Sequence, residues 1–230
     1  MSGKPAARVT DPTTCPLPGH VMRKRSFYIA AVVVLGAIAL TLYLGRGPHQ
    51  ISFHIGKTYD EVVRDSSFPV TDKTAIYPSD PPHPSSTWIS SPVIITFDDE
   101  QHGFTLPVTK FGAIGWSDFK AITLSTSPML ETLPFEQAVN LLGELQQTFK
   151  KAGWSPEAVE GNDWLKTETE EDKTRLQAKL FDQLDGVILL IPHKYSLFLH
   201  IKCYARCDER NPETAKYLID VGFGEDHFSD

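Results

Sequence analysis

"GVILLIPHKYSLFLHIKCYARC", residues 186–207, carries two hydrophobic patterns in one run. Its first part, "GVILLIP" (186–192), is an unbroken apolar stretch of strand length and reads as a buried strand. From Tyr195 onward the residues alternate, because successive side chains of a strand point to opposite faces. Leu197, Leu199, Ile201, Cys203 and Ala205 face one way; Ser196, Phe198, His200, Lys202, Tyr204 and Arg206 face the other. "HKYS" between the two suits a hairpin turn. An antiparallel hairpin with one apolar face needs other elements to cover that face, which points to an α+β fold. Phe198 and Tyr204 fall on the polar face, beside Lys202 and Arg206. Aromatic and Arg residues so placed are preferred anchors of protein interfaces. The other reading is that a helix packs over this face and buries them.

Cys203 and Cys207 lie on the same run. In one straight strand they stand about 13 Å apart at about 3.3 Å per residue, beyond the roughly 7 Å limit for a bridge. A disulfide requires the strand to end and turn near Arg206, which "CDERNP" permits; a straight strand leaves two thiols.

Around this hairpin the chain offers further elements. "FHIGKTYDEVVRDSSFPV" reads as a short strand leading to a helix across 59–65, and the prolines of "SDPPHPSS" (79–86) as a loop. "WISSPVIITF" and "GFTLPVT" are strand-like and bracket "DDEQH" as a hairpin loop, with Pro92 and Pro107 marking edges or strand ends. "FKAITLST" (119–126) is a further strand. The strongest helix runs from about 134 to 152, with Phe135, Ala138, Val139, Leu142, Leu145 and Phe149 on one stripe and a stop at Gly153. Thr169 caps a second, acid-started helix that buries Leu176, Leu180, Phe181 and Leu184. "GFGED" (222–226) reads as a two-glycine turn. Strands dominate the first half of the domain, and helix–hairpin–helix the second.

Ahead of this domain, residues 27–44 hold 18 residues without a charge. As a helix they span about 27 Å, close to a bilayer core. Arg23, Lys24 and Arg25 crowd the N-terminal side against Arg46 alone beyond it, so the positive-inside rule places the N-terminus in the cytoplasm and the rest of the chain outside. The flank "LTLYLGRG" lacks small residues for signal cleavage, which favours an uncleaved anchor. The expected organisation is a cytoplasmic segment 1–26, a transmembrane anchor 27–45 and a periplasmic domain 46–230 built of antiparallel sheet with packed helices.

The first residues carry a more specific signal. "GKPAARVTDPTTCPLPGH" resembles the opening of PAAR-repeat proteins, whose name repeats Pro5, Ala6, Ala7 and Arg8. Those proteins form the zinc-bearing tip of the type VI secretion spike, to which toxins are attached. The resemblance covers only about 17 residues, and Cys15 with His20 is too small a set to close a tetrahedral zinc site. The spike-tip role is therefore rejected. Either 1–21 is a retained fragment of a spike-tip gene, or the working start is Met22. The resemblance implies a type VI neighbourhood, and the whole chain resembles a membrane-anchored immunity-type protein of that system.

Charge agrees with a protein partner. Residues 47–230 hold 16 Lys/Arg and 28 Asp/Glu, a net of −12, a field that repels nucleic acid and steers basic proteins inward. Acidic contacts are expected from loop carboxylates: Asp98, Asp99 and Glu100 on the hairpin tip, and Glu225 and Asp226 in the tail. Phe198 and Tyr204 are the expected anchors. The hairpin acids are read as solvated, so that neutralising them slows binding and leaves folding intact. No cofactor is expected, and no metal, since "FDDEQHGF" splays its acids and His102 from a turn. His193, His200 and His227 lack metal-site spacing, and no Ser sits in G-x-S-x-G. The favoured function is a periplasmic inhibitor of a type VI secretion toxin, not an enzyme. The alternatives are an accessory protein of effector loading, or an envelope hydrolase whose site is assembled from distant residues.

Overall fold

A computed structural model of the chain describes residues 47–75 and 84–229, together with Tyr28, Val32 and Val34. These last three are helical and exposed; otherwise the PAAR-like stretch and the expected anchor at 27–45 lie outside the described residues. Among the described residues no helix is long and apolar enough to cross a membrane. The chain divides into two units, Met1–Gly47 and Pro48–Asp230.

The second unit is α+β. In order it runs β1 (His49–Phe53), α1 (Tyr59–Asp65), a 3-10 turn (Thr71–Lys73), β2 (Ser85–Ile89), β3 (Val93–Phe97), β4 (Phe104–Thr105), β5 (Gly112–Ser117), β6 (Lys120–Thr126), α2 (Phe135–Lys151), β7 (Ser155–Pro156), α3 (Glu170–Leu180), β8 (Asp185–Ile191), β9 (Tyr195–Ala205) and β10 (Lys216–Glu225). Seven strands form an antiparallel sheet in the order β2-β5-β6-β10-β9-β8-β7. The other three form a small sheet, β1-β3-β4.

The β8–β9 hairpin forms as its pattern requires, with Ile191 paired to Tyr195 across the turn. Four expectations change. β1 pairs with β3 in parallel, a geometry that needs a crossover connection rather than a tight turn; here α1 and β2 supply it. "WISSPVIITF" breaks at Ser90–Pro92 into strands of different sheets, and the strand begins earlier, at Ser85, inside the stretch read as a loop. "GFGED" is not a turn: Gly222, Gly224 and Glu225 belong to β10, a ten-residue strand inside the large sheet, so the domain ends on a strand rather than a helix. Leu184 is exposed, because α3 stops at Leu180 and the helical phase that aimed Leu184 inward is lost.

Among the described residues, α2, α3 and the small sheet cover one face of the large sheet. That face is made by Tyr217, Ile219, Val221 and Phe223 of β10 and by Leu197, Leu199 and Ile201 of β9, all buried. The α2 stripe buries as expected, with Phe135 edge-on to Tyr217 at 5.2 Å. Gly153, at φ +86°, takes the left-handed conformation that ends the helix. The small sheet packs on the same face through Phe97, whose ring stacks on Phe223 at 5.7 Å and on Phe104 at 5.4 Å. Phe53, Trp154 and Tyr195 close around Phe97 edge-on.

Phe223→Ala removes a ring from the centre of this cluster and should cost about 3–5 kcal/mol. Leu184→Ala should stay within about 0.5 kcal/mol. Urea unfolding of the two variants distinguishes the strand assignment of 222–224 from a surface turn, because a turn residue gives no such loss.

Candidate partner-binding face

Among the described residues, the other face of the seven-stranded sheet carries no helix. Register builds it row by row: Trp88 of β2 stands opposite Ala113, Ala113 opposite Ser125, Ser125 opposite Gly222, Gly222 opposite Phe198, and Phe198 opposite Ile188. The middle of this row is small and its flanks are large. The result is a trough with Trp88 and Phe198 as walls. One end, of about 700 Å³, is lined by Trp88, Phe111, Ala113, Phe198 and His200; the other, of about 640 Å³, by Ile122, Thr123, Phe198, Gly224, Glu225 and Phe228. Trp88 is 59% exposed and Phe111 49%, the combination of large apolar area and open access found at interface centres.

The glycines of this sheet fall into two kinds. A Cβ at Gly115 would run into the Thr123 hydroxyl, and one at Gly186 into the His200 ring and, at 2.7 Å, the Leu199 carbonyl. Packing demands glycine at both. At Gly222 the nearest atoms to a Cβ lie at 3.9 Å, and at Gly224 the nearest lies at 3.6 Å, which is ordinary contact. The fold would accept a side chain at these two positions, and its absence leaves the trough floor open.

The polar residues at the Trp88 end are held by one another. Asp220 accepts from the Ser127 hydroxyl at 2.6 Å and from Lys202 Nζ at 2.6 Å. His200 stands opposite Asp220; burial lowers its pKa despite the attraction of that carboxylate, so the imidazole is neutral at pH 7. In a Ser-His-Asp triad the imidazole lies between hydroxyl and carboxylate; here Ser127 bonds the carboxylate directly.

Of the expected contact residues, Phe198 and Glu225 line the trough. Asp226 lies in the segment just beyond β10 as a structural clasp. It accepts from the amides of His193, Phe228 and Ser229. Desolvation opposes its ionisation, but these bonds hold its pKa down at about 2. Tyr204 is exposed but lines neither end of the trough. Among the described residues no helix covers Phe198. The turn at Arg206, φ +57°, brings Cys203 and Cys207 to a Cα separation of 5.9 Å, and they form a disulfide.

The hairpin acids differ from expectation. Asp98 accepts from Lys57, which is 6% exposed, and from Ser52 and His54. The Asp99 side chain is 8% exposed: it accepts from the amides of Gln101 and His102, from Lys194 at 2.6 Å and from the Tyr195 hydroxyl at 2.9 Å. His102 in turn bonds the Ala152 carbonyl at 2.9 Å, tying the loop to the end of α2. Of the three acids, Glu100 alone is exposed at the tip without an ion pair among the described residues. Asp98 and Asp99 are therefore tie points of the fold rather than free charges. Their spacing in the sequence gave no sign of it, because Lys57 and Lys194 lie far away along the chain. Trp88, Phe111, Ile122 and Phe228 were missed as face residues. The outward position of Trp88 next to inward Thr87 in "STWI" was the available signal.

Desolvation works against the Asp99 charge, yet its four donors hold the pKa well below the usual carboxylate range. A depressed carboxylate contributes stability that is complete above the unfolded pKa near 4 and is lost as pH falls below it. Asp99→Asn should therefore cost about 1–3 kcal/mol at pH 7, and the variant should lose less than the parent between pH 5 and 2. Glu100→Gln should be neutral at both ends of that range. Unfolding curves across pH check all three statements.

No family model, curated protein or solved structure matches the chain.

Proposed function

We propose that the chain is a membrane-anchored, periplasmic immunity-type protein that binds and neutralises a type VI secretion toxin through the open face of its large sheet. The observation that carries the binding part is the trough: exposed Trp88 and Phe111, half-buried Phe198 and a floor of Ala113, Ser125 and Gly222. A monomeric soluble domain rarely leaves aromatic area contiguous and uncovered without a partner for it. The Cys203–Cys207 bridge suits an oxidising compartment outside the inner membrane. The PAAR-like opening supplies the secretion context, and the uncharged segment 27–44 supplies the anchor.

In this reading Trp88 and Phe198 give affinity, and the net charge of −12 on residues 47–230 gives speed. Capture by the full chain, in detergent, of the products of neighbouring genes is the direct test, and a toxin among them is the expected outcome. Trp88→Ala with Phe198→Ala should then weaken capture at least tenfold while the unfolding midpoint changes little. Association should slow several-fold between low and physiological salt. A toxin bound equally well by the double variant would move the contact off this face, and the absence of any toxin would overturn the reading.

A further inference from the structure

The two ends of the trough are not alike in charge. At the Trp88 end Asp220 is neutralised by Lys202, and Lys110 lies over the Phe111 ring at 5.4 Å. At the other end the lining carries one carboxylate, Glu225, beside His227, and among the described residues that carboxylate has no ion pair. Lys120, opposite Ser117 at the close of the β5–β6 hairpin, does not bridge to it. Glu225 is nevertheless held in place. Its carbonyl accepts from the Ser196 hydroxyl at 2.8 Å, and its backbone pairs with Tyr195.

The walls of this end are equally fixed. Phe228 is exposed on one side and lies edge-on to Phe198 at 5.8 Å on the other. The Asp226 carboxylate holds it there through the Phe228 amide at 2.8 Å. Between the two rings the floor is Gly222 and Gly224, and the opposite rim carries the hydroxyls of Thr123 and Ser125. An unpaired carboxylate, aromatic walls and hydroxyl acceptors around an open floor match one side chain best. Arginine lays an apolar stem along such walls, stacks its planar cation on aromatic faces and donates from five N–H groups.

We propose that the Glu225 end of the trough is a socket for an arginine side chain presented by the protein partner. The proposal rests on the reading that this face binds a partner, and it fixes the chemistry of one contact. Glu225 pairs with the guanidinium, Phe198 and Phe228 flank the stem, and Gly224 is where the side chain passes closest to the backbone.

The test needs no toxin. Nα-acetyl-arginine methylamide is titrated into the full chain in detergent micelles and followed by amide shifts. The expected result is a saturable change at Ser196, Gly222 and Gly224 in the millimolar range. The citrulline analogue, which lacks the charge, should bind at least about fivefold more weakly. Glu225→Gln should abolish the preference for arginine. Gly224→Val, which adds a side chain in a strand position with room for its Cβ, should abolish binding of both compounds with an unfolding midpoint no lower than the parent's. Equal binding of arginine and citrulline, shifts confined to residues outside the socket, or no saturation would each overturn the socket. A socket that binds arginine in a chain that captures no toxin would leave this inference standing and remove the inhibitor reading; the reverse result would do the opposite.

Discussion

The stack of Phe97 on Phe223 decides the layout of the domain. Phe97 ends β3 of the small sheet and Phe223 belongs to β10 of the large one, and both are almost fully buried. Two offset rings bury a large apolar area and fix an orientation as well, since displaced stacking is favoured over free sliding. Once that stack forms, the small sheet is committed to one face of the large sheet. α2 reaches the same face through Phe135, which meets Tyr217 edge-on at 5.2 Å, and α3 reaches it through Gln177, whose amide donates to the Tyr217 hydroxyl. Among the described residues, α2, α3 and the small sheet are thereby all spent on one side. The open face is a consequence of where the aromatic residues sit, not of a shortage of helices.

Charge on this domain does two separate jobs. Asp98, Asp99 and Asp226 are each bonded to groups distant in the sequence, and each joins a loop to something rigid. Asp98 joins the β3 end to Lys57, Asp99 joins the hairpin to the β8–β9 turn, and Asp226 joins the tail to that same turn. Such acids still add to the long-range field, because a paired carboxylate in a domain of net −12 is only partly cancelled at a distance. They are poor contact residues, since binding a partner would mean breaking bonds already made. Glu225 is the reverse case: one charge among 28 acids, but at the trough and, among the described residues, without an ion pair. Steering and contact therefore come from different carboxylates.

What the sequence disclosed follows from how local each signal is. α2 was legible because its stripe repeats over four turns and its stop at Gly153 is a backbone requirement. The β8–β9 hairpin was legible because a period of two persists over nine residues. The disulfide condition could be stated in advance because it depends on strand geometry alone, and the turn at Arg206 meets it. β10 was not legible as a strand, since its outward positions include Gly222 and Gly224, which mimic turn residues when read alone. β5 failed to register for the same reason, with Gly112 and Gly115 in "GAIGWS". The parallel pairing of β1 with β3 and the partners of Asp98 and Asp99 are matters of tertiary placement, and no local pattern encodes them. Of the face, Phe198 and Glu225 could be named from the sequence, whereas the trough could not, because it exists only once six strands are in register.

The glycines that hid β10 also say the most about the face. A glycine inside a strand weakens it by about 0.5–1 kcal/mol relative to alanine, through the extra freedom of the unfolded chain. At Gly112, Gly115 and Gly186 that loss is forced, because a Cβ would collide with a neighbouring strand or a ring. At Gly222 and Gly224 it is not forced: the backbone is ordinary strand and the space above is open. Two stabilising side chains are thus forgone side by side, in a strand inside the sheet, at the positions between Phe198 and the β6 hydroxyls. Filling them would strengthen β10 and close the trough. The physical trade is between strand stability and depth of the open face, and at these two positions the sequence takes depth.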